Sequence, residues 1–140
     1  MKVSVWDTYV KRDDGSVMHF DVLVPEEVID EKKIYEYGSM HLQSRNISNF
    51  TLDSEECQKC HIEVASEQVV DSISDKGYFI IEMDDIPAEL PENPSRSQMI
   101  LYLRANFPKY RFADFKGLSD EEILKFSSAL SLPHQTNQIS

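Results

Sequence analysis

Residues 54–63 read SEECQKCHIE and place Cys57, Cys60 and His61 in a C-x-x-C-H spacing. Three chemistries share that spacing: covalent haem attachment, dithiol exchange and half of a tetrahedral zinc site. Haem attachment of this kind belongs to an oxidising compartment. The N-terminal MKVSVWDTYV reads as a strand and lacks the apolar core of an export signal. Dithiol exchange wants a thiol that follows a buried strand and opens a helix, where the N-terminal dipole favours the thiolate. Here the approach is the polar loop NFTLDSEE, and Asp53, Glu55 and Glu56 beside Cys57 disfavour a thiolate. Zinc suits the ligand types best, with His41 or His19 as a further donor, or with four cysteines gathered by a symmetric dimer. The competing reading is structural: small reduced thiols pack under a sheet while His61 caps a carbonyl. No cofactor is expected on that reading, and zinc on Cys57, Cys60, His61 and His41 is the alternative.

A second polar group lies near the N-terminus. Two runs rich in β-branched and aromatic residues, 2–11 and 17–24, flank DDGS. Asp14-Gly15 is a two-residue hairpin signal, because both central positions of that turn need positive φ. The resulting register opposes Asp13 and Ser16, and hence Tyr9 and Phe20, Val5 and Val24, Asp7 and Val22. On the other face it gathers Trp6, Thr8, His19 and Asp21. There an Asp-oriented His could act as a general base, although a wet sheet face carries such polar residues without any function. In this register Asp7 falls among Val5, Tyr9, Phe20 and Val22, so a buried carboxylate there requires a partner. A bulged turn at Gly15 would shift the register by one and exchange all these partners.

The elements that position these groups follow from capping and periodicity. Asp30 caps a helix over Glu31 to Ser44, with Ile34, Tyr35, Gly38, His41 and Leu42 at helical spacing. A loop leads to the cysteines, and HIEVA is a short strand. SEQVVDSISDKG is a helix capped by Ser66 and stopped by Gly77, and YFIIEM reads as a central strand. DDIPAELPENPS, with Pro87, Pro91 and Pro94, breaks regular structure. Beyond it lie two amphipathic helices, the second opened by a Ser119–Glu122 capping box. The order predicts an α+β fold: a β-hairpin followed by α-β-α-β, forming a two-layer sheet with helices on one face, plus a C-terminal helical pair. The expected organisation is a core over 1–86, a Pro-rich linker over 87–95, a helical extension over 96–132 packed on the core, and a flexible tail over 133–140.

The net charge of −11 is uneven. Residues 1–93 carry 8 basic and 21 acidic side chains, whereas 94–118 carry five basic and one acidic. An acidic body repels phosphate backbones and anionic lipid, which argues against nucleic acid and membrane as partners. The basic segment interleaves Arg96, Arg104, Lys109, Arg111 and Lys116 with aromatic residues, and docking on its own acidic domain is the simpler use of that charge. No stretch is apolar enough to span a bilayer. The expected compartment is the cytoplasm.

Three blocks, VWDTYV…GSVMHFDVLVP, CQKCHIE and KGYFIIEM, together resemble a family of short, uncharacterised bacterial proteins known only as a domain of unknown function. The resemblance covers roughly the first 85 residues. It implies a small α+β fold in a bacterial cytosolic protein, and it implies no activity and no catalytic residues. The sequence therefore points to a small cytosolic binding or interaction module without catalysis, with a protein partner or a homodimer. A zinc or thiol-redox protein is the alternative.

Overall fold

The computed structural model describes residues 1–47 and 50–127. The elements run β1 (Lys2–Lys11), β2 (Val17–Pro25), α1 (Glu31–Ser44), β3 (Cys57–Val64), α2 (Glu67–Lys76), β4 (Phe79–Glu82) and α3 (Arg96–Asn106). The four strands form one sheet in the order β3-β1-β2-β4. The chain divides into two compact units, one of Met1–Val10 and Met18–Asp85, the other of Lys11–Val17 and Ile86–Ser140. The α+β class, the element order and the C-terminal helices are those the sequence predicts. Residues 128–132, the end of the expected second C-terminal helix, and the expected tail at 133–140 lie outside the described residues.

The hairpin turn decides the register. The Arg12 N–H donates to the Ser16 carbonyl at 2.8 Å and the Gly15 N–H to the Arg12 carbonyl at 3.0 Å, with Gly15 at φ +90°. The turn therefore carries one residue more than a two-residue loop, and the left-handed Gly15 supplies it as a bulge. Counting back from Arg12 and Ser16, Tyr9 opposes His19, Asp7 opposes Asp21 and Val5 opposes Leu23. The Tyr9 and His19 rings are stacked, with centroids 4.3 Å apart. The two-residue register is thus replaced by the bulged one. A side chain at position 15 would have to adopt a left-handed backbone, which glycine does at no steric cost.

Alternation then assigns the two sheet faces. Trp6, Val10, Met18, Phe20, Val22 and Val24 form one core with Ile34 and Leu42 of α1. Val3, Val5 and Leu23 form a second with Val69 and Ile73 of α2. These residues differ in strand parity, so α1 and α2 cover opposite faces of the sheet, rather than the single face that the sequence predicts. Both helices begin as their caps require, and α2 also ends on one. Asp30 accepts from the Lys32 N–H, Ser66 accepts from the Val69 N–H, and Gly77 closes α2 in the left-handed conformation at φ +94°.

β4 is an edge strand rather than the expected central one, because the hairpin strands β1 and β2 occupy the middle. Its apolar run has a different cause: Phe79 packs on the α2 side and Ile80 on the α1 side, so a short edge strand is apolar on both faces.

In the second unit Met99 and Leu103 of α3 pack on Phe115 and Ile123. Ser95 and Gln98 form a capping box at the start of α3. Residues 120–127 are helical, and Ser119 and Glu122 close the expected capping box there. The basic residues of this segment are largely used inside it. Arg96 bonds Asp120 at 2.7 Å and the Phe115 carbonyl at 2.9 Å, Arg104 bonds the Ala113 carbonyl, and the buried Arg111 bonds the carbonyls of Arg104 and Ala105. Charge-assisted bonds to backbone carbonyls satisfy the C-terminal end of α3 and the loop after it.

Candidate functional site

β3 carries the whole cysteine motif. It begins at Cys57, four residues before the expected HIEVA strand, so both cysteines lie on a strand and not in a loop. It pairs antiparallel with β1: Lys2 with Val64, Val3 with Glu63, Val5 with His61, then Trp6 with Lys59 and Thr8 with Cys57. Cys60 is the extra residue at the shift between Val5 and Trp6, a β-bulge. Cys57 is fully buried beside Thr8, within the α1-side core. Cys60, by contrast, is exposed.

The motif residues therefore face different environments. Burial pushes the Cys57 thiol up to about 11, and the carboxylates of Asp7, Glu56 and Asp21 act in the same direction. His61 is half-exposed, and its Nε2 lies 2.6 Å from Glu63 Oε1, so it does not cap a carbonyl there. His41 sits across the α1-side face, with its Nε2 2.7 Å from Glu82 Oε1. Burial holds His41 below the usual imidazole range despite the hydrogen bond to Glu82. Glu82 also binds Arg45 through both carboxylate oxygens. Among the described residues, Cys57, Cys60, His61 and His41 do not come together as a group of metal-ligating atoms.

The hairpin does gather such a group, and its membership differs from the sequence expectation. His19 and Asp21 share a sheet face with Asp7 and Tyr9, while Trp6 and Thr8 lie on the other face. Trp6 Nε1 donates to Ser4 Oγ at 3.1 Å and Thr8 Oγ1 to the Trp6 carbonyl at 3.3 Å, so these two are tied locally on the α1 side. His19 Nε2 lies 2.6 Å from Asp7 Oδ1, and the two side chains are only 10% and 14% exposed. The partner that a buried Asp7 requires is thus His19. Tyr9 clamps the imidazole from its face, at an interplanar angle of 11°. Asp7 was separated from the polar group in the two-residue register. The signal that could have joined them is Gly15 itself, which serves a bulged turn as well as a tight one.

Two carboxylates directly opposed across paired strands repel each other, and the environment resolves this by splitting their proton affinities. Burial raises Asp7, but the hydrogen bond and charge of His19 outweigh it and hold the carboxyl below its ordinary range. Burial, and then the neighbouring Asp7 charge, push Asp21 up to about 7. The sign of the linkage follows. Between the ordinary value of 3.8 and about 7, the unfolded chain releases the Asp21 proton while the folded chain keeps it. The contribution of Asp21 to stability therefore falls as pH rises through that window. Asp7 acts in the opposite sense and only below it. In a chelating buffer, Asp21→Asn is expected to match the wild type in thermal melts near pH 4. At pH 8 it should exceed the wild type by about 1–2 kcal/mol, allowing for solvent screening of a part-exposed group. A difference between the two melts that does not change with pH would contradict this assignment.

Among the described residues, no helix is long and apolar enough to cross a membrane. The profile of a family described as a domain of unknown function, DUF2024, matches residues 1–83. An NMR structure of a protein from Nitrosomonas europaea, a structural-genomics target, is similar at 45% sequence identity and a TM-score of 0.54. The match covers 60% of this chain and 96% of that one. No curated protein matches the chain.

Proposed function

The chain belongs to the DUF2024 family, a domain of unknown function, and on that premise we propose that it is a non-catalytic interaction module that pairs with a second copy of itself along β3. The observation that carries this reading is the exposure of β3: seven of its eight residues are exposed, and among the described residues it is an outer strand whose far hydrogen-bonding edge is unpaired. Natural sheets blunt long open edges or pair them. The other edge strand, β4, is half as long.

The ladder to β1 fixes which groups are available. The Ala65 N–H bonds the Met1 carbonyl, so by antiparallel alternation Glu63 and His61 also bond β1, while Ile62 and Val64 point their N–H and C=O outward. An antiparallel partner centred on Ile62 places Ile62 against Ile62 of the copy. It also places His61 against the copy's Glu63, and Glu63 against the copy's His61. The exposed apolar Ile62 and Val64 are then covered, and each acid meets an imidazole. This arrangement is self-complementary, as a two-fold interface must be.

The same reading treats the cysteine motif as part of the interface strand and not as a cofactor site, and it is supported by the burial and high pKa of Cys57. It excludes nucleic acid and membrane as partners on the strength of the −11 net charge. It takes the module to be bacterial, supported by the source of the similar solved structure.

Light scattering on the full chain over a concentration series tests the pairing. The expected result is a dimer mass that falls to a monomer in Ile62→Lys, which opposes two like charges at the two-fold axis. Ile62→Pro should do the same, because it removes only the outward N–H. Both variants should keep the wild-type far-UV spectrum, since β1 pairing does not use that amide. A monomer at every concentration, or a dimer indifferent to both substitutions, would overturn the reading.

A further inference from the structure

We propose that Asp7, His19 and Asp21 form a binding site for a divalent first-row transition cation. Each offers one ligand atom, and the three atoms lie within 4.8 Å of one another. Donors on a single ion at about 2.0–2.2 Å stand about 3.3–3.6 Å apart in a tetrahedral site. The trio therefore has to draw in by at most about 1.5 Å at its widest, while the 2.6 Å contact between His19 and Asp7 opens.

Three features distinguish this trio from a chance cluster of acids. The first is chemical: two carboxylates cancel the charge of a dication, and the imidazole selects transition ions over calcium and magnesium. The second is placement. The three ligands stand on the two central strands of the sheet, with the His19 ring held by Tyr9, so the order needed for binding is already present before the ion arrives. The third is burial. The Asp7 and His19 side chains are 10–14% exposed, which is dry enough to strengthen coordination and open enough for an ion to enter with water in its remaining positions. The other such trio among the described residues, Asp53, Glu55 and Glu56, lacks these features. It has no imidazole, and its carboxylates close their own turn, Asp53 accepting from the Glu55 N–H and Glu56 from the Asp53 N–H.

The site is independent of the β3 interface, so it stands or falls without the dimer. The test is calorimetric titration of the metal-free full chain with Zn²⁺ and with Mn²⁺. One equivalent of at least one ion per chain is expected. Asp7→Asn and Asp21→Asn, both near-isosteric, should each weaken binding about tenfold or more, and Cys57→Ser with Cys60→Ser should leave it unchanged. His19→Gln adds a readout by abolishing the histidine ring shifts that the bound ion produces in NMR spectra of the wild type. The proposal is overturned if neither ion binds saturably. It is equally overturned if binding survives both Asn variants at wild-type strength, or is lost only with the cysteines.

Discussion

With a small alkylating reagent at about pH 8, Cys60 is expected to react at least about 100 times faster than Cys57. The thiolate is the attacking species, and the Cys57 thiol, pushed up to about 11 by burial, is ionised at roughly one part in a thousand at that pH. Cys57 is also fully buried, which denies the reagent a path that Cys60, exposed at its bulge, provides. In denaturant the two rates should converge. Mass spectrometry of digested, time-quenched samples reads both sites at once. Equal rates in the native protein would mean that Cys57 is neither protonated nor shielded, and would return the motif to the class of dithiol or zinc sites. The expected asymmetry bears on mechanism, because a zinc site needs both sulfurs as thiolates on one ion.

The second large effect concerns the pair that Asp7 depends on. Replacing His19 with Ala removes the donor 2.6 Å from a carboxylate that is 14% exposed. Breaking a buried pair by removing one partner costs about 3–5 kcal/mol, because the remaining charge stays desolvated. The Tyr9 stacking is lost as well, worth about 1 kcal/mol. A cost of about 4–6 kcal/mol is expected for His19→Ala in denaturant unfolding with chelator present. Adding Asp7→Asn to that background should recover part of the loss, since the orphaned charge disappears with it. The two substitutions would then be strongly non-additive, as neighbours in one network are. Additive losses would show that His19 and Asp7 do not act as a pair.

Much of the fold was legible because its signals are local. Asp30, Ser66 and Ser119 cap helices where Ser and Asp must, and Gly77 ends one where only a left-handed residue fits. The register was not local. Asp14-Gly15 satisfies either a two-residue turn or a bulged one, and the choice moves every partner by one residue. That single residue separated Thr8 and Trp6 from His19 and Asp21, and joined Asp7 to them. Strand β3 was half hidden for a related reason. CQKC shows no alternation because an outer strand exposed on both sides needs none, and the bulge at Cys60 breaks the period further. The run of YFIIEM was read as central because it is apolar, yet a short edge strand sandwiched between two helices is equally apolar. The arginines of 94–118 read as charge for docking on the chain's own acidic domain. Their use on backbone carbonyls depends on how the chain turns after α3, which composition does not encode.

Backbone amide exchange at two protein concentrations probes the proposed interface residue by residue. The account predicts that the Ile62 and Val64 amides, which point away from β1, exchange freely in dilute protein and become protected when it is concentrated, while those of His61 and Glu63 stay protected throughout. Exchange at Ile62 and Val64 that is equally fast at both concentrations would contradict the claim that β3 is where this module binds its partner.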